Sequence, residues 1–208
     1  MLIPAAVILC GGASQRMGRP KAWLPFGDER MLERVVRLAG TVARPIVVVA
    51  AADQVLPELG VDVTVVRDPV PGRGPLQGLA AGLGALADSV ELVYATATDV
   101  PFLEPRWIGR LVELSDGYDL VIPFVGGYQH PLAALYRRHT VLPAIEGLLI
   151  EDRLRLSILV DAVKTRVVDE SEMKSVDPDL QTLRNLNSPE DYARALGDAG
   201  LSRGDALG

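Results

Sequence analysis

The stretch "VILCGGASQRMGRPK" runs from Val7 to Lys21. An apolar, β-branched run stops at the adjacent glycines Gly11 and Gly12, and Arg16, Gly18, Arg19 and Lys21 follow closely. The run from residue 5 to residue 10 reads as a strand buried on both faces, because it lacks the alternation of a half-exposed one. Glycine permits positive φ and close approach of the backbone. Successive backbone N–H groups in such a turn form a nest for an anion. Asp and Glu are absent from residues 1–27, where 27 acids spread over 208 residues would place about three or four. A strand that ends in a glycine turn, ringed by Arg16, Arg19 and Lys21 and cleared of negative charge, predicts a phosphate-binding site.

Working outward, further strands are predicted at residues 45–50, 61–66, 91–97 and 118–123. Between them lie helical patterns over 29–39, 76–87 and 105–114, with apolar residues at 3.6-residue spacing. This alternation predicts an α/β fold of three layers, Rossmann-like, with a mostly parallel sheet and helices on both faces. In such sheets ligands sit beyond the carboxyl ends of the strands. After residue 124 a turn at Gly126–Gly127 leads to an extended segment reaching Tyr136. Helices are predicted over 139–149 and 153–161, short late strands over 165–169 and 181–187, and a last helix opening at Ser188-Pro189. The chain reads as one domain over 1–196, with a frayed tail over 197–208.

Hydrophobic residues make up 49% and charged residues 23%, as in ordinary globular proteins. A net charge of −6 argues against a general nucleic-acid or membrane-surface binder, so an anionic ligand must be held by local cations. The single cysteine, Cys10, allows no internal disulfide, supplies no cysteine zinc site and fits a reducing cytoplasm. The N-terminal run has no basic segment before it and is too short for a signal or membrane span. No long apolar helix face demands a partner, so a cytoplasmic monomer is expected.

Two common phosphate motifs do not fit the glycine turn. Gly18 is followed by Arg-Pro-Lys rather than the Lys-Ser/Thr of a P-loop, and the Gly-x-Gly-x-x-Gly dinucleotide fingerprint is missing, which disfavours a nicotinamide-dependent dehydrogenase. The stretch "LCGGASQRMGRPK" instead resembles the signature of the molybdenum cofactor guanylyltransferase family. The resemblance continues through "RDPVPGRGPLQGL" (67–79), "ATDVPFL" (97–103), "YQHPLAALY" (128–136) and "NLNSPEDY" (185–192). It departs at strand two, where the family often carries Asn and this chain has Ala50. There, either another group takes over or guanine is held less tightly.

The resemblance implies a nucleotide-diphospho-sugar transferase-like fold and the transfer of GMP from GTP to molybdopterin, with Mg2+, releasing pyrophosphate. It implies that Arg16 and Lys21 contact the triphosphate, and that Asp99, after strand "ELVYATA", holds the metal. Asn187 reads either as a second metal ligand or as a cap. Leu9, Cys10, Gly11 and Gly12 would line the nucleobase pocket with backbone groups, the Cys10 thiol itself reading as a small buried hydrophobe. Related cytidylyltransferases usually carry Ala where this chain has Gly11, and the missing side chain leaves room for a purine edge. Asp68 reads as a ligand to guanine or ribose, or as a turn residue before Pro69. His130 reads as a pterin-side or a structural histidine. Arg19 reads as solvated or functional, and Trp23, Phe26 and Trp107 as packing residues rather than stacking platforms. Transient contacts with cofactor-biosynthesis proteins or molybdoenzymes follow from the same resemblance. The alternatives are a cytidylyl or sugar 1-phosphate nucleotidyltransferase and a non-catalytic nucleotide-binding homologue.

Overall fold

Strand β1 (Ala5–Leu9) is buried along its whole length and alternates between two cores. Ala6 and Ile8 point into one hydrophobic cluster, while Ala5, Val7 and Leu9 point into the other. This period-two division is what a central strand between two helical layers requires. The structure, a computed structural model, describes residues 2–11, 20–60, 62–70 and 72–201.

The chain continues through a short hairpin, β2 (Pro25–Phe26) and β3 (Glu29–Arg30), into α1 (Met31–Ala39). The predicted helix over 29–39 therefore loses its first two residues, which pair with β2 instead. Then come β4 (Ile46–Ala50), β5 (Val63–Arg67), α2 (Gly74–Gly84), β6 (Leu92–Ala97), α3 (Pro105–Glu113) and β7 (Leu120–Val125). The later part holds β8 (Tyr128–Gln129), β9 (Ala133–Arg137), α4 (Arg138–Ile150), α5 (Leu159–Ala162), β10 (Thr165–Asp169), α6 (Glu170–Lys174) and α7 (Pro189–Asp198).

The main sheet has the order β10-β7-β9-β6-β1-β4-β5, with β8 paired to β7. It is mostly parallel; β9 alone runs antiparallel to both of its neighbours, β6 and β7, and β8 is antiparallel to β7. One face carries α1, α3 and α6 through residues such as Leu32, Ile108 and Met173. The other carries α2, α4 and α5 through Leu79, Ile145 and Leu159. The chain runs outward from β1 to β4 and β5, then returns to β6 on the other side of β1. The resulting switch point lies at the carboxyl ends of β1 and β6, where a crevice is expected.

Helix α2 comes unusually close to β1. A Cβ built on Gly82 would lie 2.4 Å from Val7 Cγ1, and one on Gly78 would lie 3.3 Å from Leu9 Cδ2. At Gly82 a side chain would overlap Val7, and at Gly78 it would press on Leu9, so the two glycines let α2 lie close over β1.

The late segments differ most from the sequence reading. The expected strand over 181–187 is a 3-10 turn at Gln181–Leu183 followed by an extended segment. The Asp177 carboxylate accepts the N–H groups of Gln181 at 3.0 Å and Thr182 at 2.8 Å and turns the chain there. The expected helix over 153–161 is a 3-10 turn at Leu156–Ile158 running into α5. Helix α6 was not expected, although Asp169 and Glu172 form a capping box that signals it. The tail is ordered further than expected. Helix α7 runs to Asp198, and the Leu201 N–H donates to the Leu196 carbonyl at 2.8 Å. Leu201 packs on a third cluster formed by Leu24, Phe26, Met31, Leu186, Ala195 and Leu196.

Candidate active site

Two clefts open side by side along the carboxyl edge of the sheet. The first, about 590 Å³, has a floor of Leu9, Val49 and Ala97 from three strand ends and a wall of Gly74, Pro75 and Gly78 from α2. Gly11, Ala51 and Asp68 line its rim. The second, about 540 Å³, shares Pro75 and Leu132 with the first and presents Gln129, His130, Arg155, Ser157 and Asn185.

Asp99 stands just beyond the end of β6, between Ala97 on the first cleft and Val100 on the second. Its loop is tied to β1 because Thr98 donates both its N–H and its hydroxyl to the Leu9 carbonyl, each at 3.2 Å. The Asp99 carbonyl in turn accepts the Leu186 N–H at 3.0 Å. In the extended segment 185–187 side chains alternate. Leu186 enters the third hydrophobic cluster, so Asn185 and Asn187 share the opposite side, toward Asp99.

Two side chains bond that carboxylate, and a third joins through one of them. Lys21 Nζ donates to Asp99 Oδ2 at 2.7 Å and to Asn187 Oδ1 at 3.1 Å. Asn185 Nδ2 donates to Asp99 Oδ1 at 2.9 Å. A carboxylate oxygen and an amide oxygen thus face one centre of positive charge. The same pair of oxygens suits a hard divalent cation that takes its remaining ligands from phosphate and water. Among the described residues no group of three or more His, Cys, Asp or Glu side chains forms a fuller metal cage.

The structure places the other expected residues as follows. Leu9 and Gly11 line the first cleft. Gly11 has no positive φ, and among the described residues a Cβ there would come no nearer than 3.8 Å, to Ala51 N. Neither strain nor crowding by the described residues therefore demands glycine at this position. Asp68 lines the same cleft while its Oδ1 accepts the Val70 N–H at 3.0 Å, so it serves the turn and faces the cleft together. Cys10 lies elsewhere: its side chain is buried in the core on the α1 side, and its carbonyl accepts Gln54 Nε2 at 3.0 Å. Burial pushes its thiol pKa up, in keeping with an inert thiol. His130 lines the second cleft, with Nε2 3.2 Å from the Val125 carbonyl. Gly12, Arg16 and Arg19 lie outside the described residues.

Ala50 is fully buried with its side chain in the core, so it offers the cleft only backbone. The amide nearest this end of β4 belongs to Gln54, which accepts the Ala51 N–H at 3.2 Å and donates to Cys10. Trp107 is buried and donates to the Ala133 carbonyl at 3.0 Å. Trp23 donates to the Val55 carbonyl at 2.8 Å, and Phe26 packs edge-on against Phe102. None of these three aromatics lines either cleft. The sequence reading missed Asn185, Arg155, Ser157 and Gln54. Only Asn185 left a signal, the Asn-Leu-Asn alternation beside an apolar anchor.

A mostly parallel sheet with a glycine-walled cleft at its carboxyl edge, and a paired lysine and aspartate just past the end of β6, defines an α/β protein built to hold a nucleotide. The chain belongs to the MobA-like NTP transferase family, whose domain matches residues 6–164. It is 31% identical over 189 residues to "Probable molybdenum cofactor guanylyltransferase" of Carboxydothermus hydrogenoformans, covering 91% of this chain and 93% of that one. It is 36% identical over 189 residues to a protein of the same name from Mycobacterium bovis, covering 88% and 89%. Among solved structures, molybdopterin-guanine dinucleotide biosynthesis protein A from Archaeoglobus fulgidus superposes with a TM-score of 0.78 at 19% identity, covering 94% of this chain and 98% of that one. No described helix is long and apolar enough to cross a membrane.

Proposed function

We propose that this protein transfers GMP from GTP to molybdopterin and releases pyrophosphate. The observation that carries the reading is the convergence of Lys21, Asp99 and Asn187 in chain segments that also supply Ala97 to the first cleft and Val100 and Asn185 to the second. One cleft takes the donor, the other the acceptor, and the charged junction takes the phosphates.

In this reading guanine and ribose enter the first cleft, where the room left at Gly11 receives a purine edge and Asp68 faces the sugar or base. Molybdopterin enters the second, where the Arg155 guanidinium offers a fork to its phosphate and Gln129, His130 and Ser157 face the pterin. A phosphate oxygen of molybdopterin attacks the α-phosphorus of GTP. The new P–O bond forms as the bond to the α–β bridging oxygen breaks, and that oxygen leaves with the electron pair as pyrophosphate. The attacking phosphate is largely ionised at neutral pH, so no general base is required. The protein's work is alignment and charge neutralisation. Lys21, a point charge on a flexible stem, exchanges its contact with Asp99 for a phosphate oxygen. Arg16 joins it in the role implied by its place after the glycine turn. Asp99 and Asn187 would hold Mg2+, which would add neutralisation of the phosphates. The lone, buried Cys10 supports a cytoplasmic setting.

Pyrophosphate release with molybdopterin supplied and GTP, CTP or UTP offered in parallel tests the reading. Preference for GTP supports it, and preference for CTP overturns the purine assignment.

A further inference from the structure

The three side chains at the junction come from segments that the main sheet does not hold in register. Lys21 precedes the small β2–β3 hairpin, Asp99 sits on a loop, and Asn187 lies in an extended segment without strand partners. Thr98 ties the Asp99 loop to β1 and the Leu186 N–H ties the 185–187 segment to that loop, and side-chain contacts add a further hold.

Four side chains stand in a row beside them. The Arg34 guanidinium on α1 lies over the Phe26 ring, 4.8 Å from its centroid. Phe26 meets Phe102 edge-on, with centroids 5.6 Å apart and planes at 85°. The Arg184 guanidinium lies over Phe102 at 5.1 Å. Phe26 belongs to the Lys21 segment, Phe102 to the Asp99 loop, and Arg184 immediately precedes Asn185. The row therefore crosses each of the three segments once. Arg34 adds a second hold, donating Nε to the Pro101 carbonyl at 2.7 Å, while Glu29 Oε1 holds its NH1 at 3.0 Å. Arg184 is anchored at its far end by Asp198 Oδ2 at 2.6 Å. A cation over a ring is directional as well as attractive, so both ends of the row resist sliding of the rings.

We infer that Arg34 and Arg184 are positioning residues. Through Phe26 and Phe102 they set the distance of Lys21 and Asn187 from Asp99, and so the affinity of the junction for a metal-bound triphosphate. The inference rests on the reading of Asp99 and Asn187 as the metal-holding pair. It assigns the two arginines, which line neither cleft, no contact with nucleotide. Loss of either should therefore weaken the metal-dependent part of nucleotide binding and spare the rest.

The test is calorimetric titration of GTP into the full chain, with EDTA and at a series of Mg2+ concentrations. Wild type, Arg34→Met, Arg184→Met and Arg34→Lys are compared, with thermal unfolding run alongside. Met keeps the length and apolar body of the side chain and removes the charge and the fork. Expected is a rise of about tenfold in half-saturating Mg2+ for each Met variant, with GTP affinity in EDTA changed by less than about twofold. Arg34→Lys, which can still donate to the Pro101 carbonyl, should recover part of the loss. Wild-type Mg2+ dependence in both folded Met variants would overturn the inference. So would an equal loss with and without Mg2+, which marks general destabilisation. If wild type binds GTP with no Mg2+ dependence at all, the metal reading of Asp99 falls first, and the positioning role with it.

Discussion

The two ends of the proposed nucleotide site are built differently. The base end is made from regular elements: three parallel strand ends for a floor, and a helix pressed onto them at Gly78 and Gly82 for a wall. The phosphate end is made from a loop, a 3-10 turn at Lys21–Trp23 and an extended segment, gathered over a satellite cluster of Leu24, Phe26, Met31, Leu186 and Leu196. The first is held by the main sheet and its two large cores. The second is held by a few apolar anchors, two arginines and the Tyr192 hydroxyl, which donates to the Pro25 carbonyl. Shape recognition has been put on the stiff part of the molecule, and charge handling on the part where small displacements matter most.

Substitutions at the two ends should therefore separate stability from chemistry. The largest effect is expected for Asp99→Ala, which removes the carboxylate that accepts from Lys21 and Asn185. Turnover should fall by about a hundredfold to a thousandfold in a pyrophosphate-release assay, with thermal unfolding little changed because the group is on the rim rather than in a core. Normal turnover in that variant would remove the distinction between the two ends. Next is Gly82→Ala. Its Cβ would meet Val7 Cγ1 at 2.4 Å, an overpacking cost of about 1–3 kcal/mol. Better helix propensity offsets about 1 kcal/mol of this. Calorimetry should record a Tm lower by roughly 2–4 °C, and a Tm above wild type would show that α2 can lift off β1 freely. The smallest effect is expected for Gly11→Ala, whose Cβ comes no nearer than 3.8 Å to any described residue. Tm should stay within about 1 °C of wild type while the KM for GTP rises about tenfold and that for CTP does not. An equal change for both nucleotides would mean that the space at Gly11 does not read the base.

The same division explains what the sequence revealed. β1, β4 and β6 are short, apolar and bounded by turn residues, so their existence, their burial and the carboxyl-edge placement of Gly11 and Asp99 were legible. The direction of β9 was not, because "AALYR" carries no mark of which neighbour it will join or which way it will run. The segment 181–187 misled for a different reason. Its leucines at 183 and 186 suit a strand on composition, but the capping of the Gln181 and Thr182 N–H groups by Asp177 bends it into a turn. Asn185 was hidden by the same error, since its position opposite Leu186 follows only once that leucine is known to be the anchor. The Arg34–Phe26–Phe102–Arg184 row joins residues far apart in the chain, and no local pattern announces it. At Ala50 the resemblance pointed to a missing side chain in the cleft, whereas the structure turns that position's Cβ into the core.

The most direct measurement is a crystal structure with GTP and Mn2+ in place of Mg2+, the metal located by its anomalous scattering. The expected result is a manganese peak within about 2–2.5 Å of oxygens from both Asp99 and Asn187. Lys21 should lie on the triphosphate and guanine between Gly11 and Gly78. Triphosphate and metal bound away from Asp99, with the Lys21–Asp99 pair unbroken, would contradict it.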